Sequence, residues 1–202
     1  MQRMSEARVA LIHVLRGACS GELAAIHAYR GHRTSLRRDS PARERIRVIE
    51  EEEWHHRHLV IGLLADLGVR PSPIREALFW LIGHSIGILC HLGGWFIPMY
   101  GAGRLERSNI QEYEDAADFA RAAGMTPMID CLLTMAEVEW EHEQFFREQI
   151  QGHRLLRFFP LWNAPPPKEA IRARYSLKVS VEVEGDQRHA HADEQRPAES
   201  AL

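Results

Sequence analysis

Two short motifs in the chain combine a glutamate with a histidine three residues later. Glu53 is followed by His56, and Glu139 is followed by His142. Residues three apart lie on one face of an α-helix, so each motif can direct a carboxylate and an imidazole at the same point. A single motif of this kind is common on helix surfaces. Two of them, on helices that can face each other, predict a metal site with carboxylate and imidazole ligands.

Two further glutamates turn these motifs into a repeat. Tyr29 follows Glu22 by seven residues, which is two turns along the same helix face. Tyr113 follows Glu106 by the same distance. The single glutamate precedes the glutamate of the next Glu-x-x-His motif by 31 residues in the first half and by 33 in the second. A helical bundle with pseudo-twofold symmetry would produce this repeat, and chance rarely would.

The charges of these residues call for cations. Four carboxylates that point into one core repel one another, and burying them without partners is costly. Two divalent cations balance the four charges, and neutral imidazoles complete the coordination. This donor set suits two iron ions, with manganese as an alternative, better than the closed tetrahedral site of zinc. The predicted metal ligands, which are also the predicted catalytic residues, are Glu22, Glu53, His56, Glu106, Glu139 and His142.

Other residues of the same types compete with this ligand set. Glu52 and His55 have the same spacing as the pair one residue later, and the burial of the surrounding apolar residues should decide between the two registers. Counting back along the chain from the second Glu-x-x-His motif favours Glu53 and His56. Glu112 and Glu114 compete with Glu106, and the glutamate-to-tyrosine repeat selects Glu106.

The two tyrosines of the repeat have two interpretations that the sequence leaves open. Tyr29 and Tyr113 either serve the metal ligands, through hydrogen bonds or redox chemistry, or are packed core aromatics. Four other histidines are expected beside the site or on the surface: His27, His32, His55 and His58.

The elements that position these residues are marked by proline and glycine. Ser40-Pro41, Ser72-Pro73 and Thr126-Pro127 are typical of helix starts, where the hydroxyl accepts a backbone N–H and the proline needs no donor. Glycines are expected to end helices at Gly68, Gly124 and Gly152. The Gly93-Gly94 pair and Pro98 predict a break in the long stretch between Pro73 and Gly124.

This pattern predicts an all-α fold, a four-helix bundle with an additional crossover helix. The expected helices cover residues 5–33, 41–67, 73–92, 99–123 and 127–151. We expect the bundle domain to span residues 1–152. Residues 153–202 are expected to form a Pro-rich extension, with a short strand around 177–183 and a polar, disordered tail from Gly185 that contains His189 and His191.

Composition limits the function classes. The chain has 202 residues and a formal net charge of −3, which indicates no nucleic-acid partner. Its three cysteines are far apart and lack Cys-x-x-Cys spacing, so they are expected to be small buried hydrophobic residues. The first twenty residues lack the pattern of a secretory signal, and the expected location is the cytoplasm.

The segment 77–103 carries no Lys, Arg, Asp or Glu. Its length is sufficient to span a bilayer, but its glycines, Pro98 and two histidines argue against a span. We favour a buried crossover helix or a surface that dips into the membrane interface, which would place the protein peripherally on the inner face of the membrane. The oligomeric state is open, with a homodimer as one option.

The region around Glu22 resembles the first-helix signature of the demethoxyubiquinone hydroxylases. The residues that carry the resemblance are Gly21, Glu22, Ala25, Tyr29, Arg30, Gly31 and His32. The order of the single glutamates and the Glu-x-x-His motifs also matches, over roughly residues 16–149, as does the Gly-rich apolar segment before the third ligand helix. Trp54 and Trp140 inside the motifs, and the extension after Gly152, depart from the family pattern.

The resemblance implies a ferritin-like bundle and a membrane-associated di-iron monooxygenase. Such an enzyme uses dioxygen to hydroxylate a hydrophobic, quinone-like substrate in ubiquinone synthesis. Two alternatives are a ferritin- or rubrerythrin-like protein that handles iron or scavenges peroxide, and a non-catalytic scaffold whose motifs are surface charge. The absence of paired Cys-x-x-Cys motifs argues against a standard rubrerythrin, and the long apolar segment argues against a ferritin cage.

Overall fold

The structure is a computed structural model that describes residues 2–176. It contains five long α-helices, which are α1 (Gln2–Ser35), α2 (Pro41–Asp66), α3 (Pro73–Cys90), α4 (Phe96–Ala122) and α5 (Ile129–Ile150). Two 3₁₀ turns cover Thr126–Met128 and Arg154–Arg157. A short helix, α6, covers residues 169–176, and no β-strand occurs within residues 2–176. The predicted all-α, ferritin-like bundle with a crossover helix is confirmed.

The chain divides into two compact units, one ending at Pro165 and the other beginning at Pro166. The first unit holds α1 to α5. Of the second, residues 166–176 are described, and they include α6. The predicted domain boundary at residue 152 stays a prediction. The expected strand around 177–183 and the tail with His189 and His191 lie outside the described residues.

Four of the helices form the bundle. α1 packs against α2 and α4, and α5 packs against α4 and α2. The short connections between α1 and α2, and between α4 and α5, make each pair antiparallel. α3 is the additional helix, and it packs along α1. The glutamates and histidines of the motifs therefore lie on the four bundle helices, and the apolar segment supplies the crossover.

The helix boundaries follow the proline and glycine signals, with one consistent correction. Ser40 and Ser72 occupy the N-cap positions before Pro41 and Pro73, but neither hydroxyl caps its helix. The backbone carbonyl oxygens of Ser40 and Ser72 accept the first bonds of the two helices, at 3.0 and 2.9 Å, as N-cap carbonyls do with or without a side-chain cap. Thr126 lies inside a 3₁₀ turn rather than at the N-cap of the last helix.

The predicted stops are confirmed. Gly68, Gly124 and Gly152 each follow a helix with φ between 69° and 77°, a left-handed conformation that favours glycine. Gly94 has φ of 66° at the predicted break between α3 and α4.

The glycines of α3 serve a close helix crossing. A Cβ on Gly83 would lie 2.7 Å from the Cα of Ala24 on α1, and closer still to the Ala24 carbonyl oxygen. A Cβ on Gly87 would lie 2.8 Å from the carbonyl oxygen of His27. The two backbones can approach this closely only because α3 has no side chain at these points. The first turn of α3 is held in addition by Glu76, whose carboxylate accepts hydrogen bonds from Arg57 and Ser20.

The outer face of α3 is apolar and exposed. Large apolar side chains that are more than a third exposed on α3 and its flanks are Ile74, Leu78, Trp80, Leu81, Ile82, Ile86, Ile88, Leu89, Leu92 and Trp95. α1 is also long and apolar enough to cross a membrane, judged by length and composition alone. Because α1 packs against three other helices and carries Glu22 in the core, it is a core helix of the bundle.

Candidate metal centre

The six predicted ligands converge at the centre of the bundle. α1 contributes Glu22, α4 contributes Glu106, and α2 and α5 each contribute a glutamate and a histidine. All six side chains are at most 3% exposed. Aliphatic residues such as Ile26 and Ile110 are buried one turn away on the same helices. The amphipathic helices thus place a polar cluster among buried apolar side chains.

The donor atoms fall into two groups that overlap. In the first group, Glu22, Glu53, His56 and Glu139 each offer one atom within 4.8 Å of the others. The second group consists of Glu53, Glu106, Glu139 and His142, under the same limit. Glu53 and Glu139 belong to both groups, and each group adds one single glutamate and one histidine. The arrangement has the composition of two adjacent cation sites that share two carboxylates.

The tyrosines of the repeat cross between α1 and α4. The hydroxyl of Tyr29 on α1 donates to Glu106 on α4, and the hydroxyl of Tyr113 on α4 donates to Glu22 on α1. Along α1 the order is Glu22 and then Tyr29, whereas their partners on α4 are Tyr113 and then Glu106, in the reverse order of the chain. The two helices are therefore antiparallel. Each tyrosine therefore orients the single glutamate of the other half.

The histidines cross between α2 and α5 in the same way. Nδ1 of His56 lies 2.9 Å from Oε1 of Glu139, and Nδ1 of His142 lies 3.3 Å from Oε1 of Glu53. Each imidazole faces the glutamate of the opposite motif. The two-copy pattern in the sequence therefore corresponds to a pseudo-twofold arrangement of side chains in the core.

Several buried oxygen and nitrogen atoms at this point have no hydrogen-bond partner within the described residues. They are Oε2 of Glu22, both carboxylate oxygens of Glu53, and Nδ1 of His142. Buried carboxylate oxygens without partners are strongly unfavourable. A pair of divalent cations would satisfy these atoms and neutralise the four carboxylates, so the residues present fit a dinuclear metal site. Carboxylate and imidazole donors are those that iron and manganese accept.

Burial raises the pKa of two of the carboxyl groups in the protein without metal. The pKa of Glu22 lies well above its ordinary value, because the group is desolvated and lies next to the charge of Glu53. The pKa of Glu106 is raised in the same way by desolvation and by the charge of Glu139. Metal binding must therefore displace protons from these carboxyl groups.

Glu139 and His142 respond in the opposite sense. Burial disfavours the charged form of Glu139, but the nearby imidazoles of His142 and His56 outweigh it and hold the pKa of Glu139 well below its ordinary value. Burial also disfavours the charged form of His142, and the nearby carboxylates of Glu139 and Glu52 outweigh it and raise the pKa of His142. In the metal-free protein these histidines thus act as counterions for the carboxylates.

The residues that competed with the predicted ligands in the sequence lie outside the two groups of donor atoms. Glu53 and His56 are buried, whereas His55 is exposed and Glu52 is only partly buried. The register one residue earlier therefore does not face the core. Glu112 is half-buried, and neither it nor the buried Glu114 belongs to either group of donor atoms.

Two residues beside the ligands were not identified from the sequence as part of the centre. Glu52 accepts a hydrogen bond from Nε2 of His142 at 2.8 Å and pairs with Arg45 at 3.1 Å. This carboxylate fixes the orientation of the imidazole, as is usual for histidines that bind metals. Asn109 donates from Nδ2 to Oε2 of Glu106 at 2.9 Å. The only signal for Asn109 was its position one turn after a predicted ligand.

A further buried acid, Glu143, is held by the segment that follows α5. The indole N–H of Trp162 donates to Oε1 of Glu143 at 2.6 Å, and the guanidinium of Arg147 bonds to the same oxygen. The ring of Trp162 packs against Gly103 of α4, where a Cβ would lie within 2.7 Å of it. The start of the extension is therefore built into the bundle at this end.

An apolar cavity of about 480 Å³ lies between α1, α3 and α4. Gly21 and Ala25, which flank Glu22 on α1, lie in its wall, and so does Tyr29. The α3 side of the wall is formed by Phe79, Ile82, Ile86, Leu89 and Cys90. The cavity has the size and lining of a site for a small hydrophobic molecule, and its wall includes Tyr29, which hydrogen-bonds to Glu106.

Comparison with known proteins agrees with this geometry. The model of the family described as ubiquinone biosynthesis protein COQ7 matches residues 10–118, more than half of the chain. The match includes the first Glu-x-x-His motif and both single glutamates, and the second motif lies beyond it. Searches of curated proteins and of solved structures returned no match. The chain belongs to the ubiquinone biosynthesis protein COQ7 family, the demethoxyubiquinone hydroxylase family of ferritin-like di-iron proteins.

Proposed function

We propose that this protein is a di-iron, oxygen-activating monooxygenase that hydroxylates a hydrophobic, quinone-like molecule. The observation that carries the proposal is the apolar cavity whose wall includes Tyr29, the residue that hydrogen-bonds to Glu106 in the candidate centre. A protein that only stores or oxidises iron has no need of a cavity of this size beside the metals. Membership of the family supports a hydroxylase of ubiquinone synthesis.

The proposed ligand assignment follows the two groups of donor atoms. One iron would be held by Glu22 and His56 and the other by Glu106 and His142, and Glu53 and Glu139 would contribute to both sites. When bound, the two irons supply the electrons and the open coordination positions that dioxygen activation requires.

The chain itself orients the ligands and excludes water. Tyr29 and Tyr113 hold the carboxylates of Glu106 and Glu22 in fixed positions. Asn109 donates to Glu106 from the side, and its amide also lies 3.5 Å from Oε2 of Glu139. The aliphatic cavity wall keeps water away from the substrate and holds its ring next to the centre, which raises the rate by positioning.

The substrate is proposed to enter along α3. Ile82, Ile86 and Leu89 line the cavity and are also between 37% and 58% exposed, so the cavity wall continues into the outer face of α3. An exposed apolar surface of this extent, which includes Trp80 and Trp95, is typical of a membrane interface or a protein interface. We propose peripheral contact with the inner face of the membrane, from which a long-tailed quinone reaches the cavity.

The test is complementation of a host that lacks its own hydroxylase of ubiquinone synthesis. We expect the wild-type chain to restore ubiquinone and Glu139→Ala to fail, because Glu139 belongs to both groups of donor atoms. Glu141→Ala is the matched control, since this neighbouring acid is exposed, and it should restore ubiquinone like the wild type. Failure of the wild-type chain, when it is produced and loaded with iron, would remove the support for a quinone substrate.

A second measurement separates the hydroxylase from an iron-handling protein. The iron-loaded protein is reduced and exposed to dioxygen in the presence of a decyl-tailed benzoquinone or its phenolic precursor. A hydroxylase converts the organic compound to a product that is heavier by one oxygen atom, which mass spectrometry detects. Rapid consumption of dioxygen with no organic product would instead favour an iron-oxidising function.

A further inference from the structure

One buried imidazole is not used by the proposed metal centre. His32 on α1 is 2% exposed, and its Nε2 has no hydrogen-bond partner within the described residues. A buried polar nitrogen without a partner is energetically unfavourable. Such a group usually serves a ligand or a water molecule that occupies the space next to it.

His32 lies in the wall of the apolar cavity, one helical turn after Tyr29. The rings of both residues stack on Phe146, with centroid distances of 6.2 Å for His32 and 5.7 Å for Tyr29. The planes are within 17° of parallel in both cases. The shared contact with Phe146 holds the imidazole in place at the cavity wall, on the same helix face as the tyrosine that contacts the centre.

The imidazole is neutral at physiological pH. Burial lowers the pKa of His32 to about 4, because the charged form would lose its hydration. A neutral imidazole offers one N–H donor and one acceptor nitrogen and brings no charge. It is therefore suited to an uncharged oxygen-containing group rather than to a carboxylate or a phosphate.

His32 is the only uncommitted strong hydrogen-bonding side chain among the residues of the cavity wall. Three side chains in the wall carry a donor or acceptor, namely Tyr29, His32 and Cys90. The hydroxyl of Tyr29 is already donated to Glu106, and a thiol is a weak hydrogen-bonding group. A molecule in this cavity that needs a directional contact can obtain it from His32.

We propose that His32 is a specificity-determining residue that hydrogen-bonds to a carbonyl or hydroxyl oxygen on the ring of a neutral, quinone-like substrate in this cavity. The inference rests on the proposed function and deepens it. Discrimination arises because a molecule without that oxygen leaves the buried nitrogen unpaired. The bond also fixes the rotation of the ring about its tail, so that one edge of the ring faces Tyr29 and the metal centre.

Binding of two matched probes to the iron-loaded full chain tests this role. The probes are a decyl-tailed benzoquinone and decylbenzene, which has the same tail and ring but no oxygen. Affinities are measured by quenching of tryptophan fluorescence or by calorimetry. Two variants are compared with the wild type: His32→Leu, which removes the polar group, and His32→Gln, which keeps a donor and an acceptor.

We expect His32→Leu to weaken binding of the quinone by about 5- to 100-fold, the range that corresponds to one unmet hydrogen bond in an apolar site. Binding of decylbenzene should stay within about twofold, since leucine preserves the apolar wall. His32→Gln should recover most of the affinity for the quinone. Iron content, measured for each variant, reports whether the bundle is intact.

Three outcomes would overturn the inference, and they bear differently on the function. If His32→Leu weakens both probes equally, the residue has only a packing role. If it weakens neither, the quinone does not use His32, and the proposed function stands without this contact. If the wild type binds neither probe, the cavity is not the substrate site, and the proposed function fails together with the inference.

Discussion

The close packing of α3 against α1 provides one wall of the apolar cavity, and Gly83→Ala tests that packing. Ordinary contacts of a Cβ atom begin at 3.4 Å, whereas the new methyl group would lie 2.7 Å from the Cα of Ala24. α3 must therefore move away from α1 by about 0.7 Å or more. The opposing atoms belong to the backbone and cannot rotate out of the way.

Two opposing contributions give the expected magnitude. Overpacking of this kind costs about 1–3 kcal/mol, and backbone atoms place the cost near the upper limit. Replacing glycine by alanine inside a helix returns about 1 kcal/mol through helix propensity. We therefore expect Gly83→Ala to lower the free energy of unfolding by about 2 kcal/mol, or the melting temperature by about 4–8 °C for a chain of this size.

The matched control is Gly62→Ala on α2. Gly62 is also helical, and a Cβ added there has no atom within 4 Å. This variant should gain up to about 1 kcal/mol from propensity alone. The assay is thermal unfolding of the iron-loaded protein, followed by calorimetry, together with binding of the decyl-tailed quinone. An equal rise in melting temperature for both variants would refute the close crossing of α1 and α3.

Three further predictions concern the centre and the extension. Glu22 and Glu106 have raised pKa values in the metal-free protein, so their contribution to stability is present at low pH and is lost as the pH rises through those values. Urea unfolding of the protein stripped of metal by a chelator should therefore show a loss of stability from about pH 5 upward. The iron-loaded protein should not show this loss. Tyr113→Phe removes the hydrogen bond to Glu22, and competition titration should show metal affinity reduced by about 10- to 100-fold, whereas unchanged affinity would make Tyr113 a packing residue. Trp162→Phe removes one donor to the buried Glu143, and thermal unfolding should show a loss of about 1–3 kcal/mol; no change would mean that Arg147 alone satisfies the carboxylate.

The centre of the bundle could be anticipated because its residues obey spacing rules that hold in any helix. Glu53 and His56 are three residues apart, and the repeat of a glutamate and a tyrosine selects Glu106 rather than Glu112 as the ligand. A repeat of this kind reflects pseudo-twofold symmetry, so each half of the sequence supports the reading of the other. The buried positions of these residues in the structure agree with the helix faces that the repeat selects.

Contacts that depend on side-chain direction across the bundle could not be anticipated. Glu52 was one of two competing registers for a ligand, and its actual position behind His142 depends on the rotation of α2 against α5. Asn109 gave no signal apart from its distance to Glu106. The helix caps show the same limit, since a serine before a proline marks the start of a helix without determining whether its hydroxyl caps that helix.

The apolar segment 77–103 was ambiguous for a related reason. Gly83 and Gly87 are consistent with a poor membrane span, a flexible stretch or a close helix crossing, and the choice depends on the backbone that lies opposite. Only the position of α1 shows that the glycines face Ala24 and His27. Other apolar residues of α3, such as Leu81, Ile86 and Leu89, remain exposed, and the sequence alone could not divide the segment into a face that packs on α1 and an exposed face.

The central claim is that the six converging residues hold two irons, and the most direct test is the metal content of the purified chain. The protein is loaded with ferrous iron without oxygen, desalted and analysed by elemental mass spectrometry. We expect two irons per chain for the wild type and for the control Glu51→Ala, whose carboxylate is exposed. Glu53→Ala should lose both irons, since Glu53 belongs to both groups of donor atoms. Fewer than one iron per wild-type chain, or two irons retained by Glu53→Ala, would contradict the account.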